Sequence, residues 1–316
     1  MTTPTAHAKQ LVKRVPGSRA AWRRLQTMRR GAAGRLGRTA DAGRALVRRS
    51  SKVAGRAGTE PIELGLVGFF GWGNFGDELF LRGHLEQLSR LGSARVVHDL
   101  TRKPYFSDGV DAAVDGFDAF VIGGGDLVIP WQISELYWRK EYLRKPVFVV
   151  GVGVPTWKQA SERHVDRYRD FLRHPNVKMI TARDVESQAW IEQHIRPNIP
   201  VTCAPDLVWA MDPVAVEPGD ERVFGVILRD RGNDGDDFTQ VRLACDRAVE
   251  LGYRIRHIVL ANLERGPNDR AVSEAFALPG EEIVVTESLT EQCAAIASCS
   301  MVASMKFHGT LVAALH

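Results

Sequence analysis

From Ile62 onward the sequence alternates short apolar runs with stretches whose apolar residues recur every three to four positions. The runs at 62–67, 94–98, 119–122, 147–152, 178–181 and 201–203 read as strands, being short, apolar and bounded by turn residues. Between them, 77–91, 161–172 and 184–194 carry the helical period, with Leu81, Leu85 and Leu88 on one face of the first. A polar, proline-containing link follows Asp212-Pro213 and runs to about Glu221. A second series then begins, with strands expected at 223–228, 254–260, 282–285 and 301–303. Its helices are expected at 238–251, around 269–276, at 289–298 and from about Phe307. Strands this apolar are buried on both faces, which predicts parallel sheets made of βαβ units. The expected class is α/β, with two Rossmann-like domains, 61–212 and 213–316, facing each other across a cleft. The last helix has run barely two turns when the sequence stops at His316, so the second domain is expected to be truncated.

The stretch from Gly68 to Glu78, GFFGWGNFGDE, turns the first strand into the first helix. Asp77 stands where a helix N-cap belongs, and such a turn usually forms the first ligand site of an open α/β sheet. Gly71, Gly73 and Gly76 satisfy the GxGxxG spacing, yet Trp72 and Phe75 are bulky, and Asp77 and Glu78 put two carboxylates at the helix start. Those charges would repel a docked pyrophosphate, and no Walker-type GxxxxGK[ST] occurs, so nucleotide binding is disfavoured.

Charge changes the picture at one end. The net charge of +4 averages two unlike parts. Residues 1–60 hold 15 of the 42 Lys and Arg and 2 of the 38 Asp and Glu, a net of +13, which leaves −9 on the remainder. Few large apolar residues occur there, so 1–60 is expected to be a basic disordered extension. Two readings stay open: a dispensable arm, or an arm lying on anionic lipid. The acidic body argues against nucleic acid as a partner. No apolar run reaches the ~18 residues of a membrane-spanning helix. The expected location is cytoplasmic, peripheral at the inner membrane face if the arm binds lipid. Cys203, Cys245, Cys293 and Cys299 show no CxxC spacing and no His/Cys cluster, so neither a metal nor a cofactor is expected.

In open parallel sheets ligands sit beyond the carboxyl ends of strands. Besides the opening loop, candidate segments there are Gly123-Gly124-Gly125-Asp126, Thr181-Ala182-Arg183-Asp184, Leu228-Arg229-Asp230 and Ser304-Met305-Lys306-Phe307-His308-Gly309. Taken alone, the glycine run is a tight turn with a helix cap, and Arg183 a surface ion-pair residue. Lys306 and His308, two positions apart at a helix start, put two cationic side chains beside free backbone N–H groups, an arrangement that suits an anion.

In order along the chain, GFFGWGNFGDE, VIGGGD, the segment from Ile180 to Ser187, CAPDLVW, FGVILR and SMKFHG resemble the polysaccharide pyruvyl transferases. The resemblance runs from about Ile62 to His316. It implies two Rossmann-like domains of the GT-B type. It also implies transfer of the enolpyruvyl unit of phosphoenolpyruvate onto sugar hydroxyls as a cyclic ketal, with phosphate released. Where the family has Arg-Leu-His this chain has Lys306-Phe307-His308, and lysine keeps the charge without the bidentate fork. The basic arm lies outside the pattern.

The resemblance selects His308 as the catalytic acid–base group, with Asp77 or Glu78 as general base toward the attacking hydroxyl. Arg183, Arg229 and Lys306 are expected to bind the donor. Asn74, Trp72 and Asp126 are expected on the acceptor side, with Trp72 or Phe75 stacking on a sugar ring. The expected partners are phosphoenolpyruvate and a free, lipid-linked or nucleotide-linked sugar. Two alternatives remain: a GT-B glycosyltransferase using a nucleotide sugar, and an inactive or incomplete paralogue acting as a binding protein.

Overall fold

The computed structural model describes residues 62–216, 221–230, 238–260 and 267–316. The basic extension at 1–60 and part of the expected link, 217–220, lie outside them.

Six parallel strands form the first sheet: β1 Ile62–Val67, β2 Gly92–Val96, β3 Ala119–Gly125, β4 Val147–Val152, β5 Val177–Ala182 and β6 Val201–Cys203. Their order across the sheet is β2-β1-β3-β4-β5-β6. The helices between them are α1 Phe75–Leu88, α2 Val110–Asp115, α3 Glu162–Leu172 and α4 Val185–Trp190. The second sheet holds β7 Val223–Ile227, β8 Arg254–Val259, β9 Glu282–Val285 and β10 Met301–Ser304, in the order β10-β7-β8-β9. Its helices are α5 Thr239–Glu250, α6 Pro267–Phe276, α7 Leu289–Ala297 and α8 Phe307–Leu315. Every strand pair in both sheets is parallel. The α/β class read from the apolar runs is therefore observed. Every residue of β3 is buried, because this strand lies inside the sheet and carries helices on both faces.

One hydrophobic core joins the two sheets. Leu66, Leu79 and Phe80 on the first-sheet side belong to the same buried cluster as Ile227, Ile258, Ile296 and Val312 on the second. Side chains of this kind contribute about 1.5–3 kcal/mol each when fully buried. The last helix, α8, is central to the junction: it packs on β10, on α7, on the short 3-10 turn Leu207–Ala210 and on α1. No helix among the described residues is long and apolar enough to cross a membrane.

Several boundaries differ from the sequence expectation. The first helix starts at Phe75, and its N-cap is Asn74, not Asp77: Asn74 has extended backbone, and its side chain accepts from the Gly76 N–H at 3.2 Å. Asp77 occupies the third helical position, where a carboxylate still favours the positive helix end. Strand β2 lies two residues earlier than expected, set by the pairing of Gly92 with Ile62. The glycines after Ile122 extend β3 as far as Gly125, which pairs with Val152. Helix α2 was not anticipated, since six residues are too few to display a period. Helix α4 widens into a π turn at Ile191–Ile195, which ends at left-handed Arg196.

Candidate active site

The carboxyl ends of β1, β3, β5, β7 and β10 all open on one cavity of about 650 Å³. Asn74, Asp77, Asp126, Arg183, Arg229, Lys306 and His308 line it, seven of the nine sequence candidates. The other two, Trp72 and Glu78, stand apart.

Two close approaches hold the site together. Gly76, in the first turn of α1, faces the His308 ring so closely that any side chain there would run into it. The opening loop and the last helix are thus in direct contact, although 232 positions separate them in sequence. Gly153, just past β4, likewise leaves room for the Asp126 carboxylate and the Arg183 guanidinium.

Arg183 follows β5 and is anchored by a short ion pair to Asp126. Its Nε lies 3.7 Å from Asp184, and its Nη1 lies 3.9 Å from Asp206, both beyond hydrogen-bonding distance. Both atoms still lie within ion-pair range of those carboxylates. The guanidinium carbon also sits 5.6 Å from the centre of the Phe307 ring, which shields one flank. Arg229 reaches the cavity from the end of β7 with an exposed side chain. Lys306 behaves differently from the expected point-charge anchor. Its Nζ lies 2.5 Å from Asp269 and donates to the Leu260 carbonyl at 3.1 Å. Its charge is balanced within the protein, and it ties the start of α8 to α6 and the end of β8.

His308 stands edge-on to Phe80, with ring centres 4.9 Å apart. Its Nε2 faces Asp206 Oδ2 at 3.8 Å. Asp206 is nearly buried, and its other oxygen accepts from the Val208 N–H at 3.1 Å to cap the 3-10 turn. The sequence reading did not select Asp206, although it lies within the CAPDLVW stretch; a buried aspartate next to a proline reads as a cap, and this one is a cap as well.

Asp77 and Glu78 are placed differently. Glu78 Oε1 accepts from the N–H groups of both Gly71 and Gly73 at 2.9 Å, so its carboxylate staples the loop. Asp77 lines the cavity. Burial, then the charges of Glu78 and Asp126, push its carboxyl up to about 7, while Arg183 opposes the shift. A group half-protonated at neutral pH is matched to proton transfer there.

Trp72 lines a separate adjoining cavity, and its ring packs on Phe69 with centres 6.0 Å apart. Phe75 belongs to the shared core and is 3% exposed, and it also lines the cleft cavity. Among the described residues no group of three or more His, Cys, Asp or Glu side chains could hold a metal, and all four cysteines are free thiols.

Fold and site together define an α/β protein with a charged cleft at the strand ends of two joined parallel sheets. The model of one family, polysaccharide pyruvyl transferase, matches residues 74–316, and the chain belongs to that family. The match begins at Asn74 and takes in every cavity-lining candidate named above. Among solved structures, the glycosyltransferase SnogD from Streptomyces nogalater is similar over 80% of this chain and 79% of that chain, at 13% identity and a TM-score of 0.32. No curated protein matches the chain.

Proposed function

We propose that this protein transfers the enolpyruvyl unit of phosphoenolpyruvate to two hydroxyls of a sugar, forming a pyruvate ketal and releasing phosphate. The observation that carries this reading is the meeting of Arg183, His308 and Asp77 in one cavity, a cation beside two groups suited to proton transfer. Family membership supports transferase chemistry; the donor and the ketal product are what the family resemblance implies, and the charged cavity suits them.

The donor carries a carboxylate and a phosphate. The guanidinium groups of Arg183 and Arg229, which line the cavity, suit these anions in a partly dried cleft. Protonated His308 would give its proton to the methylene carbon, leaving an oxocarbenium-like C2. Asp77 would take the proton of the first sugar hydroxyl as its oxygen bonds to C2. The second hydroxyl would then displace phosphate from C2, its proton leaving with the phosphate. Transfer leaves His308 neutral and Asp77 protonated, with the second hydroxyl's proton on the departing phosphate; passage of the Asp77 proton to His308 through solvent then resets both groups for the next cycle. Asp206, 3.8 Å from His308, would stabilise the imidazolium.

Incubation with phosphoenolpyruvate and a panel of free, lipid-linked and nucleotide-linked sugars tests the reading. Phosphate release that requires both partners, and that His308→Ala abolishes without loss of fold, is the expected result. Release of a nucleotide without consumption of phosphoenolpyruvate would overturn it in favour of glycosyl transfer.

A further inference from the structure

Four segments meet at one buried carboxylate beside the cleft. Asp269 stands in the first turn of α6. Its Oδ1 accepts from the Asp230 N–H at 2.8 Å, which fixes the residue that follows Arg229 at the end of β7. Its Oδ2 meets the Lys306 ammonium at 2.5 Å, at the cap position of α8 and two residues before His308. Its backbone carbonyl accepts from Ser273 Oγ at 2.8 Å, which holds it on the helix. Lys306 in turn donates to the Leu260 carbonyl, just past β8.

Two consequences follow for an anion in the cavity, which Lys306 lines. A lysine ammonium on its four-carbon stem is ordinarily mobile, and here Asp269 and the Leu260 carbonyl hold it in one place. The carboxylate also offsets its charge: opposite charges this close act on a third group as a dipole, which pulls far less than a lone cation. Arg183 is tempered in the same way by Asp126. The reaction proposed above ends with inorganic phosphate in the cleft. Three uncompensated cations, Arg183, Arg229 and Lys306, would hold that product tightly and make its release slow. We propose that Asp269 is a positioning residue that acts through Lys306, fixing one cation of the cleft and limiting its pull so that phosphate can leave after transfer. This inference rests on the pyruvyl-transfer reading for the identity of the anion and extends it to product release.

Calorimetric titration of the full chain with inorganic phosphate tests the proposal without turnover. Asp269→Asn keeps a carbonyl oxygen for the Asp230 N–H and removes the charge, so it should bind phosphate roughly tenfold tighter than the parent. Damage to the fold does not produce a gain of affinity. Asp269→Glu keeps the charge and should stay close to the parent. Lys306→Met should bind phosphate roughly tenfold more weakly. Adding Asp269→Asn to Lys306→Met leaves neither charge unpaired and should bring affinity back toward the parent. With phosphoenolpyruvate and an accepted sugar, Asp269→Asn should lower both the donor KM and kcat, because phosphate leaves more slowly. The proposal is overturned if Asp269→Asn binds phosphate no tighter than the parent, or if the double variant binds as weakly as Lys306→Met. The double variant decides the matter even where Asp269→Asn alone fails to fold. Consumption of phosphoenolpyruvate by the parent, measured in parallel, decides the transfer reading separately: its absence counts against that chemistry, and the expected order of phosphate affinities would still assign Asp269 its part in anion binding.

Discussion

His308 Nε2 and Asp206 Oδ2 face each other across 3.8 Å, both buried and neither with a hydrogen-bond partner among the described residues. Two buried polar atoms left this close but unbonded form a junction that a small movement would close. Catalytic hydrogen bonds are often long before substrate arrives. Asp206 comes from the 3-10 turn after β6 and His308 from the start of α8, so the gap also measures how the two sheets seat on one another.

The first prediction concerns that pair. Asp206→Asn keeps the size of the side chain and an oxygen to cap Val208, but removes the charge facing His308. Phosphate release should fall roughly a hundredfold, within the range of a lost acid–base partner, while the melting temperature stays close to that of the parent. A wild-type rate in this variant would remove Asp206 from the mechanism.

The second concerns pH. Asp77 has a folded-state value of about 7 against an ordinary 3.8. Folded protein therefore holds a proton on Asp77 that the unfolded chain gives up between those values. Stability contributed at this position is greatest in acid and declines as pH rises toward 7, then levels off. Asp77→Asn removes the penalty, so the variant should exceed the parent by on the order of 2 kcal/mol at pH 8, a gap that narrows toward pH 4. Its transfer activity should be lost, whereas the parent rate should rise as pH climbs through about 7. Paired melting curves at the two pH values and a pH–rate profile check both halves; a variant no more stable at pH 8 would show that Asp77 is not strained.

Much of this was legible in the sequence, for reasons that differ from part to part. The strands were visible because a parallel strand buried on both faces must be apolar throughout, as in Phe120-Val121-Ile122. Most cavity residues were visible because glycine-rich or charged tripeptides follow those runs. Roles were harder to read. Nothing in the sequence distinguishes Asp77 from Glu78; one residue of helical rotation sends the first into the cavity and the second back to Gly71 and Gly73. The partner of Lys306 lies 37 positions earlier, on a different helix. Asp206 was hidden because a cap and a charge partner use the same side chain. Helix α2 was too short to show a period, and the true cap at Asn74 was masked by the better-looking Asp77.

The third prediction tests the contact between the opening loop and the last helix. At a helical position alanine is ordinarily favoured over glycine by about 1 kcal/mol. At Gly76 the added methyl would meet the His308 ring, so Gly76→Ala should destabilise despite its better propensity, by roughly 1–3 kcal/mol. Activity should fall further than stability, because the group displaced is His308. Thermal melting and phosphate release separate the two effects; a stabilised, active variant would mean that the approach is looser than the structure shows.

The last prediction separates a structural carboxylate from a catalytic one. Glu78 uses one oxygen, Oε1, to accept from both Gly71 and Gly73. Glutamine has the same length and retains a carbonyl oxygen at that place, so Glu78→Gln should preserve the loop and lose only the charge assistance of two hydrogen bonds, about 1 kcal/mol. Its transfer rate should remain within a few-fold of the parent. Glu78→Ala removes the side-chain acceptor of both N–H groups altogether. Hydrogen exchange at Gly71 and Gly73 should then accelerate, and the rate should drop as Asn74 and Asp77 lose their fixed positions. A glutamine variant with no activity and an intact loop would instead return Glu78 to the role of general base, because a carboxylate that only staples the backbone has no proton to move.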